Sequence, residues 1–412
     1  FKGTAMLYYG CYDGEKGKHL GLATSRDGRE WNRPELHLTR FQGSTANNLF
    51  PFEAVEAGLC LDPAAPPAKR FRLLHNRHWP DPDKAGVYLS HSPDGIQWTP
   101  RPEPFSAEHS DGMETGYYDP LLQKYVLYTR NFLVGNKSQR YSGDPQIRTW
   151  NGERYGSGRR AIGRMESDNF VHFPVSTPVL VPQPSEVLPS EVFYTSIYTT
   201  IPGAPEHHLM FPAIWDTRDD THSIGVWSSH DGRYWDRIKG PALLETAPFG
   251  EWDGGCLMTF PNLFELANGD WALPYRGDNM PHKYPRGDLE QYTVYAIWPK
   301  GRMVAVEAKE IGEFTIVGII PPARTLKINA LTKRAGGIRV QIHIKKEGIF
   351  PNYAIDKVIP GRSFEDCDIV QGDQFWKTVT WNSEADLGFE EGDGVVISFK
   401  MDRAKLFGIE FE

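Results

Sequence analysis

Up to about Val306 the apolar positions come in short runs that alternate with polar or small residues. His19-Leu20-Gly21-Leu22-Ala23-Thr24, Gly86-Val87-Tyr88-Leu89-Ser90-His91, Arg160-Ala161-Ile162-Gly163-Arg164-Met165 and Ser223-Ile224-Gly225-Val226-Trp227-Ser228 are of this kind. Further runs lie upstream in each unit, such as Tyr125 to Arg130 and His208 to Pro212. A period of two sends successive side chains to opposite faces of a strand, and no helical period competes with it. Short strands with regular turn signals predict an all-β chain.

The turn signal itself repeats. Ser25-Arg26-Asp27-Gly28-Arg29-Glu30-Trp31 recurs from Ser92 to Trp98 and from Ser229 to Trp235. A degenerate copy runs from Ser167 to Phe173; with Asp168 as its Asp, it has one extra residue and closes on Phe. The closing aromatics at 31, 98, 173 and 235 are 67, 75 and 62 residues apart. Asp-Gly permits the positive φ of a tight hairpin, and the Asp carboxylate can accept bonds from the turn's own backbone. The Trp is then expected to open the next strand and pack inward.

A unit of this length with about four strands corresponds to one propeller blade. The repeat marks four. A fifth fits Gly254 to about Val306, with strands near Leu257–Phe264, Trp271–Tyr275 and Tyr292–Trp298 around the Asn268-Gly269-Asp270 turn. The expectation is a five-bladed β-propeller over residues 1–310, its first blade lacking an innermost strand. From 311 to 412 the alternation of Gly337–Ile344, Asp366–Trp376, Thr378–Trp381, Gly394–Phe399 and Lys405–Phe411 predicts a small antiparallel β-sandwich with an accessory role.

Composition narrows the partners. A formal charge of −8 and a pI near 5.9 leave no basic stripe for nucleic acid or an anionic membrane. No apolar run approaches the ~20 residues of a membrane helix. Aromatics make up 13% of the chain, with 12 Trp, which suits sheet packing and sugar-ring stacking. The four cysteines are far apart with no CxxC pair, so buried free thiols are expected rather than a zinc ribbon. No signal peptide is visible from Phe1; a secreted or periplasmic location is the working expectation.

Chemistry on a propeller draws on the segments just before each blade's innermost strand. Three carboxylates stand there: Glu114 in Asp111–Pro120, Glu191 ahead of an apolar strand, and Asp253 before Gly254-Gly255. Glu191 is read as a general acid, whose pKa an aromatic pocket would raise; its bland alternative is a surface carboxylate. Glu114 and Asp253 are read as base, nucleophile or substrate-orienting groups, with plain turn roles as the alternative. Asp62-Pro63 and Asp119-Pro120 read as hairpin caps. His78, Trp79, Arg130, Tyr194, Arg276 and His282 are candidate substrate-binding residues, most of them expected in loops after a second strand. The spacing of His75 and His78 is not diagnostic of a metal site. No required cofactor is expected, and a structural cation in the channel is compatible with the sequence.

The Ser-x-Asp-Gly-x-x-Trp units, the Asp-Pro hairpins and the C-terminal sandwich pattern resemble the five-bladed propeller glycoside hydrolases, the fructosidase and arabinofuranosidase superfamily. A bacterial family-32-like branch is the nearest in pattern, through Ile162-Gly163-Arg164-Met165-Glu166-Ser167-Asp168, Gly250-Glu251-Trp252-Asp253-Gly254-Gly255 and Gly372-Asp373. The resemblance implies hydrolysis of a glycosidic bond in a poly- or oligosaccharide by carboxylates around the channel. The superfamily's Arg-Asp-Pro and its Glu-Cys-Pro or Glu-Gly-Pro motifs are absent here, so Glu114, Glu191 and Asp253 are chosen by blade position. A carbohydrate-binding propeller without catalysis and a structural protein are the competing readings.

Overall fold

The computed structural model describes residues 1–12, 18–51, 57–62, 65–77, 86–104, 113–133, 159–174, 176–283, 288–345, 355–390 and 392–412. Among them the fold is all-β: one 3-10 turn, Pro67–Lys69, interrupts the strands, and no helix is long and apolar enough to cross a membrane. The chain divides into two compact units, residues 1–268 with 272–297, and residues 269–271 with 298–412.

The larger unit is a series of antiparallel sheets taken in chain order. β1 (Ala5–Tyr12) and β2 (Lys18–Ser25) pair in a hairpin, with bridges from Gly21 to Leu49 and from Thr24 to Asn32. A four-stranded meander follows: β3 (Gly58–Leu61), β4 (Phe71–Arg77), β5 (Gly86–Ser92) and β6 (Thr99–Pro100). The next is β7 (Thr115–Asp119), β8 (Lys124–Leu133), β9 (Arg159–Ser167) and β10 (Thr177–Leu180).

The following segment pairs as two short sheets that continue one another. β11 (Glu191–Phe193) leads into β12 (Tyr198–Ile201), β13 (Ala204–Met210) into β14 (Ala213–Asp216), and β15 (Thr221–Ile224) into β16 (Trp227–Ser229), with β17 (Asp236–Arg237) at the edge. Backbone bonds span the break: Tyr194 N donates to Ala213 O at 2.7 Å and Phe211 N to Ile197 O at 2.8 Å. The last sheet centres on β20 (Trp271–Asp278), bordered by β18 (Cys256–Thr259), β19 (Phe264–Glu265) and β21 (Gln291–Trp298).

The repeated turns have one geometry. In the first, Gly28 takes φ +76°, Asp27 Oδ1 accepts from Arg29 N and Glu30 N at 2.8 and 2.9 Å, and Trp31 Nε1 donates to Gly28 O. Those backbone donors hold the Asp27 carboxyl below its ordinary range. The degenerate copy corrects the sequence alignment. Asn169, not Asp168, takes the Asp role: its Oδ1 accepts from Val171 N at 2.8 Å, and Ser167 Oγ donates to it at 3.2 Å. Phe170 then fills the glycine position at φ +56°, wholly buried. With Asn169 in place there is no extra residue.

Each turn is gripped by a neighbouring sheet. Tyr8 donates its hydroxyl to Gly95 O at 2.8 Å, and Tyr128 donates to Gly232 O at 2.6 Å. Arg72 lies 4.7 Å from the Tyr125 ring and 4.6 Å from the Phe170 ring. Thr259 Oγ1 donates to Phe211 O at 2.7 Å. A Cβ at Gly28 would lie 3.2 Å from Leu266 and 3.4 Å from Phe264, so the last sheet's strands border the first sheet's turn. Inner positions of three sheets meet where Met113, Ile197 and Met258 pack together.

In the smaller unit β26 (Val395–Phe411) is one strand where the pattern predicts two. Both halves pair with β23 (Leu326–Lys345): Gly337–Ile344 faces Val395–Asp402 and Leu326–Thr332 faces Ala404–Phe411, with a register shift absorbing the difference. β22 (Val306–Ile319) lies on the other side of β26, while β24 (Ile355–Val358) and β25 (Asp373–Thr378) pair with β23. The strand expected from Asp366 thus begins at Asp373. The sheet buries Val340, Ile342, Ile397 and Phe399 against Trp381, whose Nε1 donates to Val340 O at 2.9 Å.

Candidate functional site

The site grows from strand register. In the third sheet Arg130 lies opposite Ile162 and Arg160 opposite Phe132, so the two arginines share a face. In the broken sheet Trp215 pairs directly with His222. In the last sheet Cys256 pairs with Asp278 and Met258 with Arg276. These three faces converge on Tyr194.

Arg130 Nε and Nη2 donate to Tyr194 O at 3.2 and 2.6 Å, and its guanidinium lies 4.5 Å from the Tyr194 ring centroid. The Arg160 guanidinium lies 4.5 Å from the same ring and 5.2 Å from that of Trp215. His282 meets the Tyr194 ring edge-on at 4.6 Å and His222 lies 4.8 Å from it. Arg276 Nε sits 2.8 Å from Asp278 Oδ1, and Gln291 Nε2 donates to that oxygen at 3.1 Å. Asp220 sets the corner: Trp215 Nε1 donates to its Oδ1 at 3.0 Å and His282 N to its carbonyl at 3.0 Å.

This cluster is buried at a cost. Arg130 and Asp278 are 2% and 1% exposed, and His222 is wholly buried. Burial, followed by the charges of His282, Arg276 and Arg160, holds the His222 ring well below the ordinary imidazole value, so it is neutral at pH 7. The Leu257 backbone lies within weak hydrogen-bonding reach of the His222 ring, while Arg160 Nη1 has no hydrogen-bond partner. Such an orphaned buried donor forfeits about 1–3 kcal/mol unless a ligand meets it.

Of the expected residues, the structure brings Arg130, Tyr194, Arg276 and His282 together. Arg130 and Arg276 sit inside β8 and β20 rather than in loops, because both strands run past the predicted ends. Glu114 is wholly buried beside Met113, which packs against Tyr194's neighbours Ile197 and Met258. Glu191 is half-buried and engaged locally: its Oε2 accepts from Leu188 N at 2.7 Å. Asp253 lies against Gly277, where a Cβ would come within 2.7 Å of it. Alternation puts that contact on the opposite face of β20 from Arg276 and Asp278. His78 and Trp79 lie outside the described residues. His75 is buried and stacks on Tyr88. Asp119 Oδ1 accepts from Leu121 N and Leu122 N, and Asp62 Oδ1 from Ala65 N, both as turn caps.

Arg160, Trp215 and His222 escape a sequence reading. One signal was available: Arg160, Ile162 and Arg164 alternate onto one face of β9, with Ala161, Gly163 and Met165 on the other, and charge among buried positions marks a site or a buried pair. Arg164 is the paired case, bound to Glu166, which Arg233 also contacts at 2.6 Å.

A separate cavity of about 470 Å³ lies toward the other end of β7, lined by Tyr117, Tyr118, Asp119, Tyr198, His208 and Asn262 among others. Tyr117 and Tyr198 stack at 4.2 Å there. Its buried carboxylate, Asp119, is committed to the turn.

No family model matches the chain, and no curated protein matches it. Among solved structures it is similar to an N-acetylgalactosamine deacetylase from F. plautii in complex with blood group B trisaccharide (13% identity, TM-score 0.45, 73% of this chain and 90% of that one). It is also similar to a family-32 β-fructofuranosidase from Bombyx mori (11%, 0.43, 100% and 89%). A third is an endo-arabinase from Bacteroides thetaiotaomicron (12%, 0.42, 71% and 89%).

Proposed function

We propose that the larger unit is a five-bladed propeller that binds a poly- or oligosaccharide around Tyr194 and hydrolyses it. The blade count is supported by the succession of sheets and by the contact of Phe264 and Leu266 with the Gly28 turn, which links the last sheet to the first.

The convergence of Arg130, Arg160 and Arg276 with Tyr194 and Trp215 carries the functional reading. Flat aromatic faces suit sugar rings, and a guanidinium with an open donor, as at Arg160 Nη1, suits hydroxyl or carboxylate oxygens. A scaffold alone gains nothing from unpaired donors in a buried site. Glu114 is assigned the acid–base role, as the buried carboxylate just ahead of β7. Asp278, paired with Arg276, is the second carboxylate. Glu191 and Asp253 are assigned to holding the turn at Leu188 and the loop against β20.

A second reading, carbohydrate binding without turnover, is favoured by the engagement of Asp278 with Arg276 and of Glu191 with Leu188. A glycan panel separates them. Product release lost in Glu114→Gln and Asp278→Asn supports hydrolysis; binding without release supports the second reading. Full activity in both variants sinks the catalytic assignment, and no binding to any glycan sinks both.

A further inference from the structure

Within the cluster around Tyr194, three side chains are left without a role in the sugar reading. His222 is the second residue of β15, Cys256 opens β18, and His282 follows β20. One donor atom from each lies within 4.8 Å of the other two, and all three residues are buried. Two imidazoles and a thiol match the donors that bind zinc.

We propose that His222, Cys256 and His282 form a binding site for a single transition-metal ion of the zinc type. Around a tetrahedral Zn²⁺, with Zn–N near ~2.0 Å and Zn–S near ~2.3 Å, these donor atoms stand roughly 3.3–3.5 Å apart. Closing the observed 4.8 Å spread to that distance is the side-chain movement the site requires. That backbone is held: His282 N donates to Asp220 O at 3.0 Å and Gly255 N to Asp278 O at 2.9 Å.

The second observation is His222 itself. Its ring is wholly buried, with the Leu257 backbone beside it as a hydrogen-bonding neighbour. A metal ligand needs one nitrogen as donor atom, and it keeps the other for an outer partner.

Binding balances simply. The Cys256 thiol gives its proton to solvent, a metal–sulfur bond forms, and two neutral imidazoles each donate a lone pair. Three protein donors leave a fourth position for water or a ligand oxygen. The charged groups facing His222 are Arg160 and Arg276. Asp278 offsets Arg276, and the new thiolate offsets the cation. The inference does not depend on the carbohydrate reading.

The test uses the full chain, freed of metal by a chelator and titrated with Zn²⁺ and Co²⁺. One Zn²⁺ per chain should bind, and the Co²⁺ form should show a thiolate-to-metal charge-transfer band. Cys256→Ser should abolish the band, and His222→Gln should weaken Zn²⁺ binding by more than roughly 100-fold, beyond the loss of an outer partner. Cys60→Ser should leave both unchanged. If the variants fail to fold, X-ray absorption of the Zn²⁺-loaded native chain decides: one sulfur and two imidazole nitrogens should surround the metal. Absence of stoichiometric Zn²⁺, a charge-transfer band that survives in folded Cys256→Ser, or a metal shell without sulfur overturns the proposal.

Discussion

The Tyr128 hydroxyl donates to Gly232 O at 2.6 Å, and a Cβ built on Gly232 would lie 2.6 Å from that same hydroxyl. One tyrosine thus binds the turn of another sheet and excludes any side chain from it. Gly232 also needs φ +68°. Gly232→Ala is therefore expected to cost about 2–3 kcal/mol in denaturant unfolding, combining left-handed strain with overpacking. In a Tyr128→Phe background, which itself costs about 1 kcal/mol, the alanine should cost less, because the blocking oxygen is gone. Equal costs in the two backgrounds would refute the contact.

The fourth turn offers a contrast between neighbours. Asn169→Ala removes the acceptor for Val171 N and should cost about 1 kcal/mol. Asp168→Ala removes an exposed carboxylate whose partner, Lys124, stands 3.7 Å away, and should stay within about 0.5 kcal/mol. Thermal melts of the two variants rank the residues; the reverse order would restore Asp168 to the turn.

Asp216 gives a pH dependence. The hydrogen bond from Arg218 holds its carboxyl down at about 2, below the usual 3.8. A depressed folded value stabilises above the unfolded value, and the contribution is lost as pH falls through the folded one. The wild type should exceed Asp216→Asn in stability by a small margin at neutral pH. That margin should vanish between about pH 4 and pH 2. A margin independent of pH would show that the pair does not titrate as described.

In the smaller unit Trp381 is wholly buried and bonded to Val340 O. Trp381→Ala should cost about 3–5 kcal/mol through lost burial, an empty volume and an unmet carbonyl. Trp381→Phe, which keeps most of the volume, should cost less. Urea unfolding followed by near-ultraviolet dichroism measures both.

For the site, Arg160→Met keeps bulk and removes the donor. It should weaken binding of whichever glycan the protein takes by about tenfold or more, with little loss of stability. Glu114→Gln should reduce turnover by roughly 10²–10⁴-fold while sparing binding. Calorimetry beside a product assay separates the two effects.

The strands and turns were legible because they are local. A period of two and a Ser-x-Asp-Gly-x-x-Trp turn are set by residues within a few positions of one another, so β2, β5, β9 and the turns at Gly28, Gly95 and Gly232 could be read directly. The fourth turn was misaligned by one residue because Asn and Asp accept the same backbone bonds, and geometry alone chose Asn169. Tertiary structure decided which chemical groups meet. Arg130 and Tyr194 are 64 residues apart, and their contact depends on two sheets packing face to face. Arg276 and Asp253 are near in sequence, yet alternation along β20 divides them. The linear chain carries the inventory of carboxylates, guanidiniums and rings, but which face each one occupies follows from register and sheet packing, and those are long-range properties.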